Sequence, residues 1–349
     1  MRFFISLTAV LMSLLAVTVH AEPVAGLYQV REELTSQESE VRDAGLQQAF
    51  ATLVQRLTGE ADAVQSSQLA QYQADPQALI SRYGYEGNTL IVSFDPQSVQ
   101  SALRAAKLPV WGNNRPAVLT WWLVEDLQGV HLISDGQAGA DMLHNAAQYY
   151  GVPARLPLGD LDEQLLVGAD ALNDNTQIRE SAERYTADAV VIVEQRLEGE
   201  TLQAQWQLWI GDERQMGQVT ADSEATLARD VFAQVNQRLA ERFSIKPGEG
   251  ESFEIRVAGV DLERFVLVER LLEPFSAQLR EVTKEYAQWQ VRSTPEQLRS
   301  QLALAHLNEQ AAPLLTTEQE FSDADLNLPE PTRSSVKAAA DTQLLYFSW

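Results

Sequence analysis

The chain of 349 residues contains no cysteine. That excludes disulfides, a thiol nucleophile, thiolate-bound zinc, iron–sulfur clusters and the acylated thiol of a lipoprotein anchor. Histidine is nearly as scarce, with four in all. His20 lies in the N-terminal apolar stretch, and His131, His144 and His306 fall in separate expected elements, never at the spacing that sets two imidazoles on one helical face. Positive charge is sparse too: 26 Lys and Arg stand against 49 Asp and Glu, for a net charge of −23. Such a field repels nucleic acid and anionic head groups, so neither is expected as a general partner. After residue 21 no apolar run approaches bilayer length.

Catalytic strings are missing as well. No Gly-x-Ser-x-Gly elbow or phosphate-binding loop occurs, and Gly248 with Gly250 lacks the preceding strand and third glycine of a dinucleotide fold. Ser334 and Lys337 match a Ser-x-x-Lys string without its companion motifs or a helix start to orient the hydroxyl. Acidic pairs such as Asp160 with Asp162, and Asp170 with Asp174, are what an acidic chain makes by coincidence. The sequence therefore assigns no catalytic, cofactor-binding or metal-ligating residue.

What is present begins with residues 1–21, where Arg2 precedes an almost wholly apolar stretch and Val19, His20 and Ala21 form a small-residue exit. This is a secretory signal pattern, with Glu22 and Pro23 opening the mature chain. With no cysteine to acylate, the expected product is periplasmic and free of a lipid anchor or integral membrane segment.

Three small modules are expected in series, an α/β to α+β arrangement. An N-terminal module over 22–112 should hold a strand at 27–31 and a helix capped by Thr35 and Glu38 and closed by Gly59. A second helix is expected near 76–83, then a strand at 89–94 and a helix opened by Asp95 and Pro96. The central module, 113–245, starts with the apolar run 117–124 and continues through helices near 138–150 and 177–185 and strands at 188–193 and 201–210. A long helix with Leu227, Val231, Val235 and Leu239 in register completes it. Residues 246–252, rich in Pro and Gly, read as a linker. The last module, 253–349, follows the order βαββαβ of a ferredoxin-like unit, with 316–340 as an irregular excursion.

Three segments carry a family resemblance: Leu53 through Gly59, Arg115 and Pro116 leading into residues 119–123, and residues 184–189 from Arg184 to Ala189. Together they resemble an exported proteobacterial family known only as a domain of unknown function, of the 2066 type. The resemblance implies export and no assigned activity, cofactor or catalytic residue. The run through Ala187 and Asp188 into an apolar strand is also similar to lipoprotein activators of peptidoglycan synthases and to the amino-terminal domain of the Tol β-propeller protein, although the acylated cysteine is absent here.

Along 201–210, Leu202, Ala204, Trp206, Leu208 and Ile210 share one strand face, and Gln203, Gln205, Gln207 and Trp209 the other. Trp209 on the polar face is the one candidate partner contact, because an indole gives a large contact area at low entropy cost. The terminal alternation of Leu345, Phe347 and Trp349 resembles a barrel-insertion signal but fits a buried last strand better, since the chain lacks repeated barrel strands. These features favour a non-enzymatic binding or scaffolding component of the cell envelope, partnered by another envelope protein. The alternative is a carboxylate-dependent hydrolase of cell-wall glycan or peptide.

Overall fold

The computed structural model describes residues 26–127, 129–167, 172, 175–245, 251–272, 275, 277–310 and 344–349. The expected signal, most of the linker, Asp170, Asp174, Ser334, Lys337 and the 316–340 excursion lie outside them. The chain divides into two compact units, residues 1–247 and 248–349.

The first unit opens with β1 (Gln29–Glu33) and α1 (Ser39–Thr58), whose Leu46, Phe50, Leu53, Val54 and Leu57 are fully buried. The helix starts later than its capping-box pattern predicts. Its N-cap is Glu38, with no side-chain cap bond, and the Ser36 hydroxyl accepts the Glu38 N–H outside the helix. Gly59 closes it as expected, at φ 78°, a conformation glycine adopts without a Cβ penalty. A short α2 (Ala70–Ala74) leads to a tight turn at Pro76–Leu79, then β2 (Ile80–Glu86), β3 (Thr89–Phe94) and α3 (Pro96–Ala105). The helix expected near 76–83 is thus a single turn running into a strand. Gly87 at φ 61° with Asn88 makes the β2–β3 hairpin, and cross-strand pairing overrides the weak helical pattern. Asp95 caps α3 through the Ser98 N–H at 2.9 Å. The antiparallel sheet has the order β1-β3-β2, leaving β1 at an edge.

A second sheet follows, from β4 (Val118–Asp126), β5 (Gly129–Ile133), α4 (Ala140–Tyr149), β6 (Ala154–Arg155), α5 (Leu161–Leu165), α6 (Thr176–Glu180), β7 (Ala189–Glu198), β8 (Thr201–Ile210), β9 (Glu213–Ala221) and α7 (Glu224–Phe243). Its order is β5-β4-β7-β8-β9, with β6 also on β4. Strands β4 and β7 are parallel and almost continuously apolar because both faces are covered. On one face Trp122 stacks on Phe232 of α7 at 6.3 Å. On the other, Leu119, Trp121, Leu123, Val190 and Ile192 pack with Ile178.

The two sheets belong to one unit, although the sequence reading separates them at residue 112. Trp111 is fully buried, its ring stacks on Phe243 at 6.3 Å, and its backbone N–H donates to Leu57 O at 2.7 Å. What looks like a junction is core.

The second unit contains β10 (Glu251–Ala258), α8 (Leu262–Leu272), β11 (Gln278–Val282), β12 (Tyr286–Ser293), α9 (Pro295–Ala303), β13 (Asn308–Gln310) and β14 (Leu344–Ser348). In the order β11-β12-β10-β14-β13, central β10 runs antiparallel to β12 and parallel to β14. The βαββα order is the expected one, but β14 lies between β10 and β13 and parallel to β10, where a ferredoxin-like last strand would run antiparallel to the first. Leu345 and Phe347 are buried in it, as a last core strand requires. Among the described residues no helix is long and apolar enough to cross a membrane.

Candidate binding groove

Two arginines organise the first unit by closing helix ends. A helix leaves its last four carbonyls without intrahelical partners, and buried carbonyls must find donors. At the end of α1, Gln55 O accepts from Gly59 N–H and from Asn236 Nδ2, and Leu57 O from Trp111 N–H. Arg56 O accepts from Arg115 Nη2 at 2.7 Å. Arg115 also donates to Gly151 O at 2.9 Å and to Gly112 O and Trp111 O at 3.1 Å, and its guanidinium lies 3.9 Å above the Trp111 ring. Burial, then the nearby Arg56 charge, lowers the Arg115 pKa. The negative ends of two helix dipoles nevertheless suit a cation there.

Arg56 does the same for α4. Its Nε and Nη2 donate to Tyr149 O at 3.0 and 2.8 Å, and its Nη1 reaches across to Leu27 O at 2.7 Å and Gln29 O at 2.8 Å. Burial lowers its pKa to about 10, so it stays charged at neutral pH.

Those last two acceptors define a strand edge. Phe94 N–H donates to Tyr28 O and Leu34 N–H to Asn88 O, which fixes the alternation of the β1–β3 ladder. Residues 28, 30, 32 and 34 bond to β3. The backbone groups of Gln29, Arg31 and Glu33 therefore point away from it. Arg56 closes this outer edge at Gln29 and stops there. Beyond it the N–H and C=O of Arg31 and Glu33 have no partner among the described residues.

A groove of about 560 Å³ runs along this open stretch. Gln29, Arg31 and Glu33 form one wall, with Arg56 at the side. Met142, Asn145, Gln148 and Tyr149 of α4 and Arg229 of α7 form the other. Arg229 is exposed, lies 4.9 Å from the centre of the Tyr149 ring, and makes no hydrogen bond or ion pair with any described residue. Arg31 is held by Glu86. Behind the wall, Glu32 accepts from Thr52 Oγ1 at 2.8 Å and from the Tyr149 hydroxyl at 3.0 Å. Burial raises the pKa of Glu32 and that of Tyr149, the latter helped by the Glu32 charge.

The sequence missed this groove because no motif marks an open strand edge. Arg56 and Arg115 fall in the segments that carry the family resemblance, so their positions were visible but not their role. Trp209 is half-buried: Arg179 lies 3.9 Å above its ring, Arg214 is 5.6 Å away, and it packs against the cluster around Trp121 and Ile178. The Gln-rich strand face is covered, with Gln207 donating to Leu172 O at 2.8 Å and accepting from Asn175. Asp160 caps α5 through Glu163 N–H at 3.0 Å and pairs with Arg184 at 2.6 Å. His131 is exposed beside Asp126 and His144 half-buried beside Asp135, and His306 follows the end of α9 at φ 56°.

Residues 21–112 match the family described as Domain of unknown function (DUF8605), a stretch that includes β1, α1 and Arg56. No curated protein matches the chain. Among solved structures, the LpoB C-terminal domain from Salmonella enterica is similar at 14% identity with a TM-score of 0.21, covering 31% of this chain and 83% of that one. A score at that level supports no conclusion about fold or partners. The matching family itself is one of unknown function.

Proposed function

We propose that this protein is an exported, non-enzymatic binding component of the bacterial cell envelope, working in the periplasm and holding another envelope protein through the groove beside β1. The observation that carries the reading is the open edge at Arg31 and Glu33, fronting a groove whose far wall carries the Arg229 guanidinium, which makes no hydrogen bond with a described residue. Main-chain donors and acceptors left open at a sheet edge are a ready surface for a partner's backbone. Export rests on the signal pattern of residues 1–21. Membership of the 2066-type exported family belongs to the same proposal and rests on residues 53–59, 115–123 and 184–189. The hydrolase alternative asks for two facing carboxylates, whereas Glu33 is the carboxylate in a groove lined by Arg31, Arg56 and Arg229.

Photocrosslinking in cells of the source bacterium tests this. A benzoylphenylalanine at Met142 or Asn145 is expected to trap one discrete adduct in the periplasmic fraction, and one at exposed Gln77 none. Equal adduct patterns from all three sites, or a chain retained in the cytoplasm, would refute the proposal.

A further inference from the structure

We infer that the groove takes an extended peptide segment bearing a carboxylate side chain, which adds as a strand to the edge of β1 and places its acidic group on Arg229. The inference rests on the proposed binding function and specifies its ligand.

Three observations lead to it. The open groups at Arg31 and Glu33 are donors and acceptors in alternation, two residues apart on one edge. A small anion would satisfy the N–H groups and leave the carbonyls facing it. Only a ligand that alternates in the same way satisfies both, and an extended backbone at strand spacing does so. Second, Arg56 closes the edge at Gln29, so a ladder can start at Arg31 but cannot run on past Gln29. The site is a short, bounded edge rather than a continuous one.

Third, the charge around the groove is opposite to that of the protein. In a chain of net charge −23, Arg31, Arg56 and Arg229 line the groove against Glu33, with the Glu32 carboxylate behind the wall. Of these, Arg56 is spent on carbonyls and Arg31 is held by Glu86. Arg229 keeps its donors open beside the Tyr149 ring, and a guanidinium fork suits a bidentate carboxylate. Acidic side chains on a partner strand would meet it across the groove, and lysines would meet repulsion.

The test uses the purified chain and three fluorescein-labelled peptides: a short Thr/Val strand-former with central glutamates, its lysine twin, and a glutamate twin with alternate backbone nitrogens methylated. The first should bind saturably by fluorescence anisotropy, and amide exchange at Arg31 and Glu33 should slow. The lysine twin should bind about tenfold more weakly, the methylated twin should not bind, and Arg229→Glu should reverse the charge preference. Arg229 is exposed, so near-UV circular dichroism of that variant should match the parent.

Glutamate and lysine peptides that bind alike while the two amides slow would overturn the carboxylate inference and leave the binding reading standing. A methylated twin that binds as well as its parent would overturn strand addition. No saturable binding by any of the three, together with absence of the cellular crosslink at Met142, would remove both.

Discussion

Arg115→Met should cost the first unit about 3 kcal/mol. The side chain serves four buried carbonyls, Arg56 O, Gly151 O, Trp111 O and Tyr150 O, at 2.7, 2.9, 3.1 and 3.3 Å, and the half-buried Gly112 O at 3.1 Å. Leaving each of the four without a donor costs about 1 to 1.5 kcal/mol, so about 4 to 6 in sum. Against this, methionine no longer buries a charge that has no carboxylate partner, which returns about 2 kcal/mol. The carbonyl term wins because two of the four, Arg56 O and Tyr150 O, lie at helix ends, where no intrahelical donor is available. Urea unfolding followed by tryptophan emission measures it well, since five of the seven tryptophans lie in the first unit. The expected result is a lower midpoint at unchanged slope, or a fall of about 6 to 12 °C in Tm. Arg115→Lys should recover less than half, because one ammonium cannot span acceptors arranged around a planar fork. A loss below about 1 kcal/mol for the methionine variant would show that these carbonyls find other partners and that the arginine is no keystone.

Burial raises the Glu32 pKa, so the native state holds that proton more tightly than the unfolded chain does. The penalty for its charge is present above the raised pKa and fades as pH falls toward the ordinary value of 4.5. Glu32→Gln should therefore be most favourable relative to the parent near pH 7 and lose that advantage toward pH 5, read as two urea titrations; a pH-independent difference would contradict it. Gly59→Ala should cost about 2 kcal/mol or more, because a Cβ there stands 2.3 Å from Ala240 Cβ at a positive φ. Wild-type thermal stability in that variant would mean that α1 and α7 can part without cost. Gly217→Ala places a Cβ 2.4 Å from the Trp206 ring and should cost about 1 to 3 kcal/mol, with a shift in near-UV circular dichroism as the indole moves.

Periodicity and punctuation made most elements legible. The Gly59 stop, the Asp95 cap and the apolar runs of β4 and β7 all state their roles locally, and each is found where the pattern places it. Strand β9 escaped because its alternation of Arg214, Met216 and Gln218 is polar on both faces; pairing with β8 forms it. The candidate site was illegible for a different reason. An open edge is a property of sheet order, and the order β1-β3-β2 depends on which of two strands β1 chooses. Trp209 illustrates the converse. Alternation put it correctly on the glutamine face, yet only the path of α6 brings Arg179 over the ring.

Charged residues at a strand edge often protect against pairing between copies, and Arg31 and Glu33 serve that end on their own terms. The groove makes protection and recognition compatible. Lateral association of sheets needs a flat, continuous edge, and here Arg56 closes one end while α4 and α7 stand opposite the remainder. A second sheet cannot approach, whereas a single strand can enter from the side. The geometry also ties this opening to the stability of the unit. Arg56 caps α4 and β1 together, and its own carbonyl is held by Arg115. The arginines that close the helix ends therefore set where the edge is sealed, and so the length of strand left open.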